Sequence, residues 1–314
     1  MIVIELGDNS LRQRIDSRSV FFEHRKAVKS LEEIRGTMKW KTVKGREYLV
    51  RVTAGGAEKS LGPRTPETEI MMTQFRERKA RLTDREASLR KELVMCRRRN
   101  KVEGVGRAPD ILVRILDRFD AAGIAGHFVV VGTHALYAYE QAVGVLIQEH
   151  GVLATRDADL LWDTRRRAQF LLRMKMLDSS MIGLLRDIDD SFVVDDKDKY
   201  KATNKEGFEV DFIRRESKMG DPHPLRFTGH DEDFWVVQAR RANDLLSAPR
   251  FSTLLVSSSG AMAEIVTIAP ATFVSFKRWM STLDDRDPLK RRRDARQADV
   301  VESLIRDYGL GERQ

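Results

Sequence analysis

The chain has 314 residues, with 56 Lys+Arg against 48 Asp+Glu, a formal net charge of +8 and a pI near 9.6. Hydrophobic residues make up 41%, which supplies a packed core and excludes a wholly disordered chain; no apolar run approaches the roughly 18 residues of a membrane span, and the single cysteine, Cys96, excludes an internal disulfide and a cysteine zinc cage. The basic balance favours a nucleic-acid or nucleotide partner, although an Arg-rich composition alone gives the same number, and the opening Met1-Ile2-Val3-Ile4-Glu5-Leu6 meets Asp8 too early to form a signal-peptide core, so no membrane partner and a cytoplasmic location are expected.

Residues 17–35 carry a short helical pattern that ends near Gly36. Met38-Lys39-Trp40-Lys41 and Glu47-Tyr48-Leu49-Val50-Arg51-Val52 read as two strands, and Lys44-Gly45 between them supplies the turn of a β-hairpin. Gly55-Gly56 and Gly62-Pro63 break the chain. From Pro66 to about Lys101 helix formers are dense and predict one long helix. Its second part, residues 76–101, holds 11 Lys/Arg against 4 Asp/Glu, a face that suits phosphates and equally suits plain solvation. Gly104 to Pro109 reads as a linker.

Asp110 to Ala122 is amphipathic, with Ile111, Leu112, Ile115, Leu116 and Phe119 near helical spacing. His127-Phe128-Val129-Val130-Val131 is a buried strand, ended by Gly132-Thr133, with a helix following to about Ala142. Asp157–Asp163 and Phe208–Ile213 are predicted strands, and Thr253–Ser257 and Ala263–Ile268 two more. Pro270 opens a helix carrying Lys277, and a last helix from Pro288 to about Asp307 begins Lys290-Arg291-Arg292-Arg293 after its first residues. The fold class is α+β: a mixed sheet flanked by helices, with an N-terminal β-hairpin and long-helix arm and a helical C-terminus. The expected division is 1–105 for the arm, 106–269 for the core and 270–314 for the C-terminal helices.

The most informative segment is Ala154-Thr155-Arg156-Asp157-Ala158-Asp159-Leu160-Leu161-Trp162-Asp163. Side chains alternate along a strand, so Asp157 and Asp159 point one way and Ala158 and Leu160 the other. Core packing does not require two neighbouring carboxylates that repel each other; a hard divalent cation such as Mg²⁺ (or Mn²⁺) resolves the repulsion. In Gly207-Phe208-Glu209-Val210-Asp211-Phe212-Ile213 the apolar residues share one face and Glu209 and Asp211 the other. If the two strands are neighbours, Asp157, Asp159 and Asp211 form a metal site for phosphoryl chemistry. Gly132-Thr133, directly after a strand and opening a helix, offers close backbone approach and free N–H groups to a triphosphate. Taken singly, each piece has a plain structural reading: a surface strand, an ordinary helix start, or an Asp211 paired with Arg214 or Arg215. His134 beside the Gly132-Thr133 motif is a candidate general base, but a histidine on a helix face is more often structural.

The order of these pieces resembles the nucleotidyltransferase superfamily related to DNA polymerase β. Its pattern is a strand ending in Gly-Ser or Gly-Gly, then Asp-h-Asp/Glu-h, then h-Asp/Glu-h, matched here by Gly132-Thr133, Asp157-Ala158-Asp159-Leu160 and Val210-Asp211-Phe212. Within it the chain resembles a bacterial family of nucleotidyltransferase-fold proteins, through Ser60-Leu61-Gly62-Pro63-Arg64, Val131-Gly132-Thr133-His134-Ala135-Leu136-Tyr137-Ala138-Tyr139-Glu140, Asp159-Leu160-Leu161-Trp162-Asp163 and Asp294-Ala295-Arg296-Gln297-Ala298. It is more distantly similar to abortive-infection toxin nucleotidyltransferases, where Thr133-His134-Ala135-Leu136, Thr155-Arg156-Asp157-Ala158-Asp159, Lys277 and Arg293-Asp294 are the counterparts. That resemblance implies that Lys277 contacts nucleotide phosphates. The chain departs from the pattern in a longer interval between Gly132 and Asp157 and in Gly-Thr for Gly-Ser, which keeps a hydroxyl.

The expected function is therefore metal-dependent transfer of a nucleotidyl group from an NTP to a macromolecular acceptor, RNA (tRNA) ahead of protein, in a toxin or defence role with a cognate antitoxin as a partner. Asp157, Asp159 and Asp211 are the expected catalytic and metal-binding residues, and Gly132, Thr133, Lys277 and Arg293 the nucleotide-binding ones. The competing readings are a nucleotidyltransferase acting on a small molecule, as antibiotic-modifying enzymes do, and a non-catalytic module that binds nucleotide or nucleic acid.

Overall fold

Glycines, prolines and short polar capping residues set the ends of the elements in the computed structural model, which describes residues 3–149, 151–153, 155–218 and 221–311. Met1 and Ile2 of the opening segment and Ala154 before the Asp-x-Asp strand lie outside the described residues. The chain forms two compact units, one of residues 12–99 and one of residues 1–11 with 100–314.

In chain order the first elements are β1 (Val3–Glu5), α1 (Asp8–Glu33), β2 (Thr37–Val43), β3 (Arg46–Val52), β4 (Glu58–Pro63) and α2 (Pro66–Val102). β2 and β3 form the expected hairpin. Lys44 and Gly45 both have positive φ, 50° and 76°, the conformation a two-residue turn needs to match strand twist. Beyond that hairpin, β4 pairs antiparallel with β3 and makes the sheet three-stranded, order β2-β3-β4. The start of α2 is fixed by a reciprocal cap: the Thr68 backbone N–H donates to Thr65 Oγ1 at 3.4 Å and the Thr65 N–H to Thr68 Oγ1 at 2.9 Å. Pro66 is pre-organised for the first turn, and Glu67 and Glu69 favour its positive end.

The second unit continues with α3 (Asp110–Ala121), β5 (Phe128–Val131), α4 (Ala135–Val143), β6 (Val145–Ile147), β7 (Asp157–Trp162), α5 (Arg167–Leu177), α6 (Met181–Arg186), β8 (Val193–Val194), β9 (Lys201–Thr203), β10 (Glu209–Arg215), β11 (Val237–Ala239), α7 (Ala242–Ser247), β12 (Arg250–Val256), β13 (Met262–Ile268), α8 (Pro270–Ser281) and α9 (Pro288–Tyr308). The central sheet runs β5-β7-β10-β9-β8, with β11 pairing the far end of β10. β7 and β10 are parallel, while β5, β9 and β8 are antiparallel to their neighbours, so the sheet is mixed. β12 and β13 form an antiparallel hairpin, tied to the sheet where Thr267 Oγ1 donates to the Val130 carbonyl at 2.7 Å.

The core lies against the apolar side of this sheet. Ala158, Leu160, Val210 and Phe212 are fully buried there, with Phe128, Trp162, Phe170, Phe227 and Phe234 packed edge-to-face or tilted around them; Trp162 and Phe227 stand 4.6 Å apart between centroids and Phe212 and Phe234 4.7 Å. α8 and α9 belong to the same unit as the sheet, with Phe273, Val301 and Leu304 buried in the common core.

Candidate active site

Strand register assembles the site. β7 and β10 lie side by side with Asp157 opposite Glu209 and Asp159 opposite Asp211. Both strands alternate, so the four carboxylates line one face, half-buried, with the fully buried apolar row behind them. On the other edge of β7, Val131 of β5 is the partner of Asp159, and the chain leaves β5 at Gly132 directly against that carboxylate. Gly132 has φ +70°, and a Cβ built on it would lie 2.1 Å from Asp159 Oδ2. Glycine is required here twice, for the left-handed backbone and for the close approach. β9 places Lys201 opposite Asp211, where its ammonium pairs with Glu209 at 2.7 Å.

The carboxylates stand uneasily with one another. Burial, then the charges of Asp157 and Asp211, push Asp159 up to about 7, against the pull of Lys277 and Arg286. Burial also pushes Asp211 up to about 6; Lys201 opposes the rise, while Asp157, Glu209 and Asp198 add to it. Asp211 Oδ1 is buried without a hydrogen-bond partner among the described residues. Its plain structural reading as a partner for the following arginines does not hold. Arg214 points to the core face and donates to the Pro222 carbonyl at 3.2 Å, and Arg215 pairs with Asp221 at 2.7 Å.

The C-terminal helices bring a second polar layer. Lys277 on α8 is 5% exposed, its ammonium 2.8 Å from Oδ1 of the fully buried Asp294 on α9, and Arg286 approaches Asp294 Oδ2 at 2.5 Å. Burial lowers the Lys277 pKa, while Asp294 and then Asp159 hold it up. Lys277 is thus tied to Asp294 and acts on the aspartate face through its field. Gln297, one turn further along α9, donates to Thr133 Oγ1 at 3.0 Å and to the Val152 carbonyl at 2.7 Å. Thr133 is buried, with its hydroxyl oxygen accepting from Gln297. Arg293 is half-buried and lines a cavity of about 330 Å³ with Gly151, Leu289, Lys290, Arg292 and Arg296. His134 is 1% exposed, lies between the rings of Tyr137 and Phe208, and is driven down to about 4 by burial, so it is neutral near pH 7.

The donor set fits a hard divalent cation in chemistry: carboxylate oxygens on one face, one of them orphaned, two with their charge destabilised. Among the described residues no three His, Cys, Asp or Glu side chains converge into a ready-made metal group, so the fit lies in donor type and register. Asp294 stands in the sequence only as part of the Arg293-Asp294 counterpart and the Asp294–Ala298 motif; Arg286 and Gln297 are site neighbours that the structure adds, with an Asp three residues before a Gln on a basic helix as the available signal. Lys201 gave none, because a three-residue strand carries no readable period.

A family model described as nucleotidyltransferase matches residues 110–311, from the first residue of α3 to the end of the described chain. The chain belongs to this nucleotidyltransferase family, and its activity is the transfer of a nucleotidyl group. No curated protein and no solved structure matches it. Among the described residues no helix is long and apolar enough to cross a membrane.

Proposed function

We propose that the protein transfers a nucleotidyl group from a nucleoside triphosphate to RNA, tRNA in particular, with Mg²⁺ or Mn²⁺ held by Asp157, Asp159 and Asp211. The observation that carries this reading is the register of β7 and β10, which sets Asp159 beside Asp211 and against the glycine turn at Gly132. A divalent ion bound there supplies positive charge to the triphosphate and acidifies the acceptor hydroxyl. The chain's own groups do the rest. Backbone N–H groups at Gly132-Thr133 and the Thr133 hydroxyl hold donor phosphates. Lys277, held charged by Asp294, acts as a positioning residue whose field opposes the rise of the Asp159 pKa. The acceptor oxygen attacks the α-phosphorus, the bond to the pyrophosphate oxygen breaks, pyrophosphate leaves with the electron pair, and the hydroxyl proton passes to Asp211, which completes the carboxylate face beside Asp159.

The test is transfer of label from each of four α-labelled NTPs, with Mg²⁺ or Mn²⁺, to fractionated RNA and to lysate protein, with Asp157→Ala as control. Label in RNA that the substitution abolishes is the expected result. Absence of transfer from all four, or label confined to protein or small molecules, overturns the RNA assignment. Growth inhibition on expression that Asp157→Ala relieves is the expected sign of a toxin or defence role.

A further inference from the structure

α9 is amphipathic in an unusual sense. Its inward row, Asp294, Gln297, Ala298, Val301 and Leu304, is buried. Leu289, Arg292, Arg293 and Arg296 follow the spacing of one helical face, and with Lys290 and Gly151 they line the cavity of about 330 Å³. Among the described residues no carboxylate lines it. Elsewhere the same pair of helices neutralises its cations: Arg278 pairs with Asp299 and Glu302, Arg306 with Asp307, and Arg291 approaches Asp284. Lys290, Arg292 and Arg296 are exposed and form no ion pair among the described residues. Arg292 and Arg296, four residues apart, repel each other and weaken the helix, and Lys290 sits in the first turn at its positive dipole end. A partner that brings negative charge removes both penalties.

Two observations narrow that partner. First, the run from Leu289 to Arg296 spans about 10 Å along the helix, more than one phosphate occupies, and Leu289 is 73% exposed among the cations. An apolar platform beside a ladder of guanidinium groups fits successive phosphodiesters with a sugar or base against the leucine. Second, the cavity adjoins the donor side. Gly151 lines it, Val152 follows, and Gln297 ties the Val152 carbonyl to the Thr133 hydroxyl, next to the glycine turn that touches Asp159. We infer that this cationic stripe seats the phosphodiester backbone of the RNA strand that accepts the nucleotide. The inference rests on the proposed transfer to RNA and adds the place where the acceptor binds.

The experiment uses the full chain and a fluorescent 12-nucleotide single-stranded RNA, read by anisotropy without NTP across a salt series. The probe variant is Lys290→Glu/Arg292→Glu/Arg296→Glu, with the milder Arg292→Gln/Arg296→Gln as a second variant in case the first unfolds, and Arg306→Glu, further along the same helix, as charge control. Expected are an RNA affinity at least tenfold weaker in the triple variant, a salt slope smaller by about 2 for three lost contacts, an intermediate effect of the glutamine pair, unchanged NTP affinity, and no effect of Arg306→Glu. Unchanged RNA affinity and slope in both probe variants overturns the inference. So does a loss confined to NTP affinity, which assigns the stripe to the donor triphosphate, and so does competition by poly-L-glutamate as effective as that by RNA, which assigns it to an acidic peptide. Asp159→Asn separates this inference from the transfer reading, since it abolishes transfer and leaves RNA affinity in place. RNA binding that depends on the stripe in a protein that transfers nothing sinks the transfer reading alone.

Discussion

The unit of residues 12–99 and the aspartate face of the other unit are both rich in charge, and they handle it in opposite ways. In the first, acids and bases alternate around one another in solvent. Glu58 lies 2.7 Å from Lys39 and 2.6 Å from Lys41, whose hydrogen bonds pull it down to about 2. Arg64 reaches Glu47 at 2.6 Å and Glu69 at 2.7 Å. In the second, like charges face one another in partial burial, and Asp159 and Asp211 are driven up, first by burial. Charge that is paired and wet costs little, whereas charge that is crowded and dry must be held in place by the surrounding fold. The direction of the shift therefore marks the site better than the density of charge does.

The largest effect belongs to the aspartates. Asp159→Asn keeps the shape of the side chain and removes its charge, and it is expected to lower nucleotidyl transfer by at least about 10³-fold, measured with labelled NTP. Activity within tenfold of the unsubstituted protein would show that the crowded carboxylates are not the reacting centre. Next in size is Lys277→Met. It strips the buried partner from Asp294, and breaking such a pair costs about 3–5 kcal/mol, to be read from chemical denaturation. Because Arg286 still approaches Asp294, the lower end of that range is expected. Lys277→Met/Asp294→Leu, which removes both buried charges, is expected to regain part of the loss. A double variant no more stable than the single one would mean that the pair is not the source of the cost.

This contrast between paired and crowded charge also explains what the sequence made legible. Strand alternation in Asp157–Trp162 and Glu209–Arg215 was readable because one face had to be apolar, and the pairing in register follows once two such strands are neighbours. The long helix was readable because Pro66 starts it and nothing interrupts it to Val102. β4 escaped notice because Glu58-Lys59-Ser60-Leu61-Gly62-Pro63 has weak strand character, and its pairing with β3 depends on tertiary context. Lys277 was legible as a candidate, and its surroundings were not. Sequence spacing does not reveal that α8 and α9 turn Lys277 toward Asp294 and that Asp294 is spanned by Arg286 as well.

A smaller effect, about tenfold per pH unit, is expected in metal affinity. Metal binding needs ionised carboxylates and releases the protons they hold. With Asp211 raised to about 6 and Asp159 to about 7, apparent Mn²⁺ affinity should climb between about pH 5 and 7 and flatten above, with proton release detectable by calorimetry in buffers of different ionisation enthalpy. The same shifts act on stability. Because the folded values lie above the unfolded value of about 3.9, these groups favour folding most at low pH, and their contribution is lost as pH rises through about 6 and 7. Without metal, Asp159→Asn should therefore melt above the unsubstituted protein at pH 8, with the difference shrinking as pH falls and closing only at about pH 4, the unfolded value. Parallel melting curves across that range would mean that the two aspartates titrate as ordinary surface carboxylates.

The smallest effect is expected where short ion pairs stand in solvent. Glu58→Gln removes both contacts to Lys39 and Lys41, yet both lysine side chains are about half exposed and the glutamate is 31% exposed, so water and salt screen the attraction that the geometry suggests. The lowered Glu58 value means that any stabilisation is present above the unfolded pKa and disappears as pH falls toward about 2. At pH 7 and physiological salt the melting temperature should stay within about 1 °C of the unsubstituted protein. A drop comparable to that of Lys277→Met would dissolve the distinction between the two regions, because it would make a solvated pair as consequential as a buried one.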